Sequence, residues 1–218
     1  MPISKENISK ALETLRKESK KRNFSQTVDL IVTLKSLDLK KTENQVDFFT
    51  ALHYPTGKKV TVCAFVGPEL KDEAGKNMDK AVLVDDFPAY SDPKKAKSLV
   101  NEYDYFVAQA NIMPKVAQVF GKVLGPKGKM PNPKAGCVVP PKAMLKPLHD
   151  KLQKTVRLKA KTALMIQTIV GSEAMKDEEI IDNIITLYNQ IMHHLPGEEN
   201  NIKGLLIKFT MSKPIKVM

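Results

Sequence analysis

The spacing of hydrophobic positions changes character several times along the chain. Over residues 5–20, Ile8, Ala11, Leu12 and Leu15 recur at three- and four-residue intervals, which predicts an amphipathic helix. From Thr27 to Lys35 the period drops to two. Val28, Leu30, Val32 and Leu34 fall on one side and Thr27, Asp29, Ile31, Thr33 and Lys35 on the other, so a half-buried strand with one largely polar face is expected. A second strand is expected over Gln45–Leu52. The run His53-Tyr54-Pro55-Thr56-Gly57 is turn chemistry and marks a boundary.

Beyond it the apolar runs become continuous. Val60–Val66, Ala81–Val84 and Tyr105–Ala108 are nearly uninterrupted. Helical stretches over Pro68–Lys76, Pro93–Glu102 and Met113–Val123 alternate with them. Short apolar strands alternating with helices predict a parallel α/β sheet buried on both faces. Leu124–Pro141, with five prolines and three glycines, reads as a loop, and Ala143–Leu152 as a closing helix. After Thr155 the pattern reverts. Strands are expected over Thr155–Lys159, Ala163–Val170 and Gly204–Met211. Between the last two, Ile180, Ile184, Leu187, Ile191 and Leu195 form a long helical stripe, started by Asp177 as N-cap and stopped by Pro196-Gly197. Each flank is small for a stable domain. Joined, residues 1–56 plus 155–218 would make one discontinuous α+β domain, with residues 57–154 inserted as an α/β domain, an arrangement the pattern permits.

With 218 residues, of which 42% are hydrophobic, a folded globular protein is expected. The net charge of +11 calls for a polyanionic partner. The insert carries seventeen basic and ten acidic residues, and Tyr105–Ser172 holds twelve basic residues and one acid, Asp150. That tract is better explained by phosphate contact than by a solvated face. No apolar run approaches the roughly 18 residues of a spanning helix. The N-terminal stretch lacks a signal-peptide core and no lipidation motif closes the chain, so no membrane partner is expected. Cys63 and Cys137 lie too far apart for a zinc-ligand pattern and read as reduced thiols.

The familiar enzyme motifs are absent or incomplete in the sequence. No G-x-G-x-x-G follows a candidate strand. Gly125-Pro126-Lys127-Gly128-Lys129-Met130 looks superficially like a P-loop, but Val123 stands where its first glycine belongs and Met130 where the magnesium-binding hydroxyl belongs. His193 and His194, adjacent on a helix, point about 100° apart and cannot share a metal. Asp85-Asp86 and Glu198-Glu199 read as surface carboxylates. No cofactor, no metal and no catalytic residue is expected.

Two stretches are more telling. Leu124–Gly136 (LGPKGKMPNPKAG) and Lys208–Pro214 (KFTMSKP) resemble the L-one family of large-subunit ribosomal proteins in its archaeal form. RNFSQTVDLIVTLKSLDLKK, YDYFVAQANIMPKVAQVFGKVLGP and IIDNI fit the family's order, so the resemblance covers essentially the whole chain. It implies two domains: a split α+β domain holding both termini and the main rRNA site, and a Rossmann-like three-layer insertion. It also implies a cytoplasmic ribosomal protein that forms a mobile stalk near the tRNA exit site and assists release of deacylated tRNA. The protein would be monomeric off the ribosome and would repress its own messenger.

Carried onto this chain, the resemblance places the RNA contacts at Phe24, Thr27, Asp29, Thr210, Met211 and Ser212. Arg157, Lys159, Lys161 and Lys208 are added as nearby phosphate contacts, and Lys127, Lys129 and Lys134 as a secondary contact. Ser212 departs from the family's Thr-Met-Gly, where glycine would permit a positive φ or a close backbone approach. Two other classes compete: a free messenger-binding translational regulator using the same surface, and an α/β enzyme with an anionic substrate.

Overall fold

The computed structural model describes residues 4–217, less the side chain of Glu43. In chain order the elements are α1 (Lys5–Glu18), β1 (Thr27–Leu34), β2 (Val46–Ala51), β3 (Val62–Val66), α2 (Lys71–Asn77), β4 (Lys80–Leu83), α3 (Pro93–Glu102), β5 (Tyr105–Gln109) and α4 (Met113–Lys127). There follow β6 (Val138–Val139), α5 (Leu145–Leu152), β7 (Thr155–Ala160), β8 (Met165–Ser172), α6 (Asp177–His194), β9 (Ile202–Phe209) and β10 (Ile215–Lys216). They divide into two compact units, Met1–Lys58 with Lys154–Met218, and Lys59–Gln153.

The first unit is α+β. β10, β9, β1 and β8 form an antiparallel sheet in that order, and β2 and β7 form a separate antiparallel pair. β1 alternates strictly, with Val28, Leu30, Val32 and Leu34 buried, as its sequence demands. These residues share a core with Ile8, Leu12 and Leu15 of α1 and Ile180, Ile184, Leu187 and Ile191 of α6. Each such side chain contributes about 1.5–3 kcal/mol by leaving water. Ser4 caps α1, its Oγ accepting from Asn7 N at 3.2 Å. Asp177 does not cap α6 as its position suggested. Lys176 is the N-cap, without a side-chain bond, and Asp177 is the first helical residue. Its carboxylate accepts instead from Arg16 Nε at 2.9 Å and Nη2 at 2.6 Å.

Asn183, fully buried on α6, ties the outgoing chain to this unit. It donates to Val170 O at 2.9 Å and Tyr54 O at 3.2 Å, and accepts from Tyr54 N at 3.2 Å. Gly57 follows at φ +76°, where a Cβ would stand 2.6 Å from Ser172 Cβ. Only glycine fits there.

The second unit is a parallel sheet in the order β4-β3-β5-β6. β3 is buried throughout, which is why its sequence is a continuous apolar run. α3 packs on α4 and α2 on α5, and Phe65, Phe87, Phe106 and Phe120 interlock at the centre. In such sheets ligands enter at the strand ends where the connection reverses, here between β3 and β5. That point is occupied by Gln109, fully buried, which accepts from Gly67 N at 2.9 Å and donates to Glu69 Oε2 at 3.3 Å.

The stretch read as a loop over Leu124–Pro141 is more regular than its prolines and glycines suggested. α4 continues through Lys127. Gly128, at φ +65°, ends it in the left-handed conformation, with Gly128 N on Gly125 O at 2.9 Å and Lys129 N on Leu124 O at 3.1 Å. Pro126 sits in the last turn, where it costs a single backbone bond. A 3-10 turn at Pro133–Ala135 and the short strand β6 follow.

Candidate nucleic-acid interface

The register of β1 against β9 pairs Val28 with Phe209 and Asp29 with Lys208. Thr27 and Thr210 are thereby brought together just beyond the end of the ladder. Thr210 N donates to Thr27 O at 3.2 Å, and Thr27 N to Thr210 Oγ1 at 3.1 Å. The two hydroxyls lie 2.9 Å apart, and Thr27 Oγ1 donates to Asp29 Oδ1 at 3.4 Å. Burial raises the Asp29 carboxyl above its ordinary pKa, opposed by the Lys208 charge and the Thr27 hydroxyl. The result is a half-exposed row of two hydroxyls, a carboxylate and an ammonium, able both to donate to and accept from ribose hydroxyls or base edges.

Two apolar side chains close to this row in the chain are open to solvent: Phe24, three residues before Thr27, is 53% exposed and Met211, next to Thr210, 60%. Neither packs in the core, so both offer surface on which a ribose or base can lie.

The strand expected to run to Met211 stops at Phe209, and Thr210, Met211 and Ser212 form a turn. The turn is closed by Ser212, whose Oγ accepts from Phe209 N at 2.8 Å and lies 3.1 Å from Lys213 O as a donor. Among described residues other than glycine, only Ser36 and Glu198 have positive φ, so Ser212 bears no strain from replacing the family's glycine. Its hydroxyl is committed to the turn.

The remaining expected residues are dispersed. Lys208 faces Asp29 and belongs to the cluster. Arg157, Lys159 and Lys161 lie on or next to β7, in the other sheet of the unit. Arg157 grips Asp47 with Nε and Nη2, each at 2.9 Å, and Lys161 Nζ meets the same carboxylate at 2.8 Å. These cations hold the Asp47 carboxyl down to about 2. Lys159 is exposed beside them. In the second unit, Lys127 reaches Asn101 on α3. Lys129 Nζ donates to Val100 O at 3.0 Å and Tyr103 O at 2.6 Å, closing the carboxyl end of the same helix. Lys134 is exposed.

Sequence reading passed over the basic run Lys20-Lys21-Arg22, which follows α1. Lys20 and Arg22 line a groove of about 380 Å3 with Gln26, Met211, Ser212 and Lys213. Lys21 and Arg22 also border Phe24. The run and its nearness to Phe24 were visible signals.

Among the described residues no group of three or more His, Cys, Asp and Glu could hold a metal, and no helix is long and apolar enough to cross a membrane. Both cysteines are buried, which pushes the Cys63 thiol up to about 12 and Cys137 to about 11. Neither forms the thiolate that a nucleophile requires at neutral pH.

Residues 15–213 match the model of the Ribosomal protein L1p/L10e family. The chain is 36% identical over 219 residues to the large ribosomal subunit protein uL1 of Pyrococcus abyssi, covering 100% of this chain and 98% of that protein. It is 37% identical to uL1 of Nanoarchaeum equitans over 220 residues, with 99% and 100% covered. It is also 37% identical to uL1 of Methanobrevibacter smithii over 216 residues, with 98% and 99% covered.

Proposed function

Because the chain belongs to the ribosomal protein L1p/L10e family, we propose that it is a structural protein of the large ribosomal subunit and binds large-subunit rRNA through its first unit. The observation that carries this is the meeting of Thr27, Thr210 and Asp29, with the exposed Met211 next to Thr210 in the chain and the exposed Phe24 three residues before Thr27. Hydroxyls and a carboxylate recognise ribose and base edges, while Lys208 and the Lys20–Arg22 run supply charge for phosphates. The first unit is the rRNA-binding domain on this reading. The finer roles follow from what the family resemblance implies: a mobile stalk near the exit site, assistance in releasing deacylated tRNA, and repression of its own messenger through the same surface. On this reading the protein is cytoplasmic, has no catalytic step, and is a monomer until it joins the subunit.

Thr210→Val tests the assignment. It removes one exposed hydroxyl at nearly constant volume, together with that hydroxyl's bonds to Thr27 N and the Thr27 hydroxyl, so the fold of the variant is checked alongside its binding. Measured against an rRNA transcript, the variant should lose roughly 1–3 kcal/mol of affinity, about five- to a hundredfold, because its RNA partner is left unsatisfied. The salt slope should not change, since no charge is lost. A stably folded variant with wild-type affinity would refute the site.

A further inference from the structure

The even positions of β1, Val28, Leu30, Val32 and Leu34, all point into the core. Gln26 continues that series one step before the strand, and it too is buried, with 2% of its surface exposed. The pattern leads one to expect an apolar residue here, because a buried amide is costly unless its groups are bonded.

Its bonds run in two directions. On the β8 side, Gln26 O accepts from Glu173 N at 2.8 Å, and Gln26 N lies 3.4 Å from Glu173 Oε2. That loop is itself fixed by Arg16, which donates to Glu173 O at 3.0 Å and Met175 O at 3.1 Å. On the β9 side, the Gln26 side-chain oxygen accepts from Met211 N at 3.2 Å. An anchored backbone thus extends one polar arm under the turn that carries Thr210 and Met211.

We propose that Gln26 is a positioning residue for the RNA site. It holds the Met211 amide from below, and so sets the direction of the Met211 side chain and the Thr210 hydroxyl before RNA arrives. The proposal rests on the rRNA-binding reading above. Gln26 itself need not touch RNA. Its effect should therefore fall on recognition, which depends on the aim of those groups, and not on phosphate attraction, which does not.

The test uses the full chain, a large-subunit rRNA transcript and a scrambled RNA of equal length. Gln26→Met keeps the length and burial of the side chain and removes the acceptor. Affinity for the rRNA should fall about tenfold, the cost of one misdirected contact. Affinity for the scrambled RNA and the salt slope should stay as they were. Mere loss of folded protein would lower both affinities together, and that outcome overturns the proposal. In a Thr210→Val background, Gln26→Met should cost less than the tenfold it costs in the wild type, since one of the two contacts it aims is already gone. Full additivity overturns the proposal. A Thr210→Val protein that binds like wild type removes the rRNA reading, and the inference with it. A normal Gln26→Met beside a weakened Thr210→Val removes the inference alone.

If Gln26→Met does not fold, Gln26→Glu and hydrogen exchange of the free protein decide the matter. The carboxylate keeps the acceptor, so Met211 N should stay protected from exchange and the preference for rRNA over scrambled RNA should persist. Loss of that preference with Met211 N still protected overturns the proposal.

Discussion

The two most recognisable stretches of the chain, one in each unit, direct their side chains oppositely. In the inserted unit, Leu124–Gly136 turns Lys127 and Lys129 onto α3, where they bind Asn101, Val100 O and Tyr103 O. Its glycines end α4 and shape the turn before β6. In the split unit, Lys208–Pro214 presents Thr210 and Met211 outward, with Thr210 opposite Thr27. A distinctive motif thus marks a demanding local geometry, and only the exposure of its side chains tells whether that geometry serves the fold or a partner.

Four measurements bear on this contrast. Lys129→Met should have the largest effect. Two carbonyls at the end of α3 lose a charged donor, so the inserted unit should be destabilised by about 3 kcal/mol in denaturant unfolding. Affinity for rRNA should be unchanged. Weakened binding by a protein of normal stability would mean that Lys129 faces RNA after all.

Asp47→Asn should cost about 2 kcal/mol at neutral pH. The sign follows from the carboxyl being depressed from 3.8 to about 2 by Arg157 and Lys161. Its contribution is present above the ordinary carboxylate value and is lost as pH falls through about 2. The variant and the wild type should therefore converge in stability at the acid end of a pH series. A constant gap would show that packing, not the ion pair, is the cause.

Lys208→Ala should lower the salt slope of rRNA binding by about one unit, with Lys134→Ala leaving it unaltered. The reverse result would move the phosphate contacts to the inserted unit. The smallest effect is expected from excision. Residues 1–58 joined through a short glycine linker to 154–218 should fold and keep rRNA affinity within about twofold, because every proposed primary contact lies in that unit. Loss of specific binding by the folded fragment would give the insert a share in the site.

What was legible in the chain divides along the range of the interactions. The helix of Ile8, Ala11, Leu12 and Leu15, the alternation of β1 and the buried runs of β3 and β5 are local periodicities, and the structure has all of them. Thr27 and Asp29 were readable as one strand face, but their meeting with Thr210 depends on pairing across 183 residues. Asp177 looked like a cap because local rules know nothing of Arg16. Arg157 and Lys161 looked available because Asp47, which binds both, lies far upstream. The Leu124–Pro141 stretch was misjudged from its proline and glycine content, since one proline in a last turn and one left-handed glycine are compatible with a helix end. β10 was overlooked because it has only two residues. Gln26 was within reach of the same period-two argument that found β1, had the series been extended one step back.

The double hydrogen bond between Asn183 and Tyr54 has a mechanical side. The backbone of Tyr54 is gripped at both N and O by one side chain of α6, three residues before Gly57. A pull on the chain as it leaves the first unit acts on those two bonds together. The load passes into an 18-residue helix seated in the core. The β2–β7 pair, joined across its ladder by the Arg157–Asp47 bonds, is spared from peeling one rung at a time. Asn183 acts as a strain relief: tension on the chain is stopped at Tyr54.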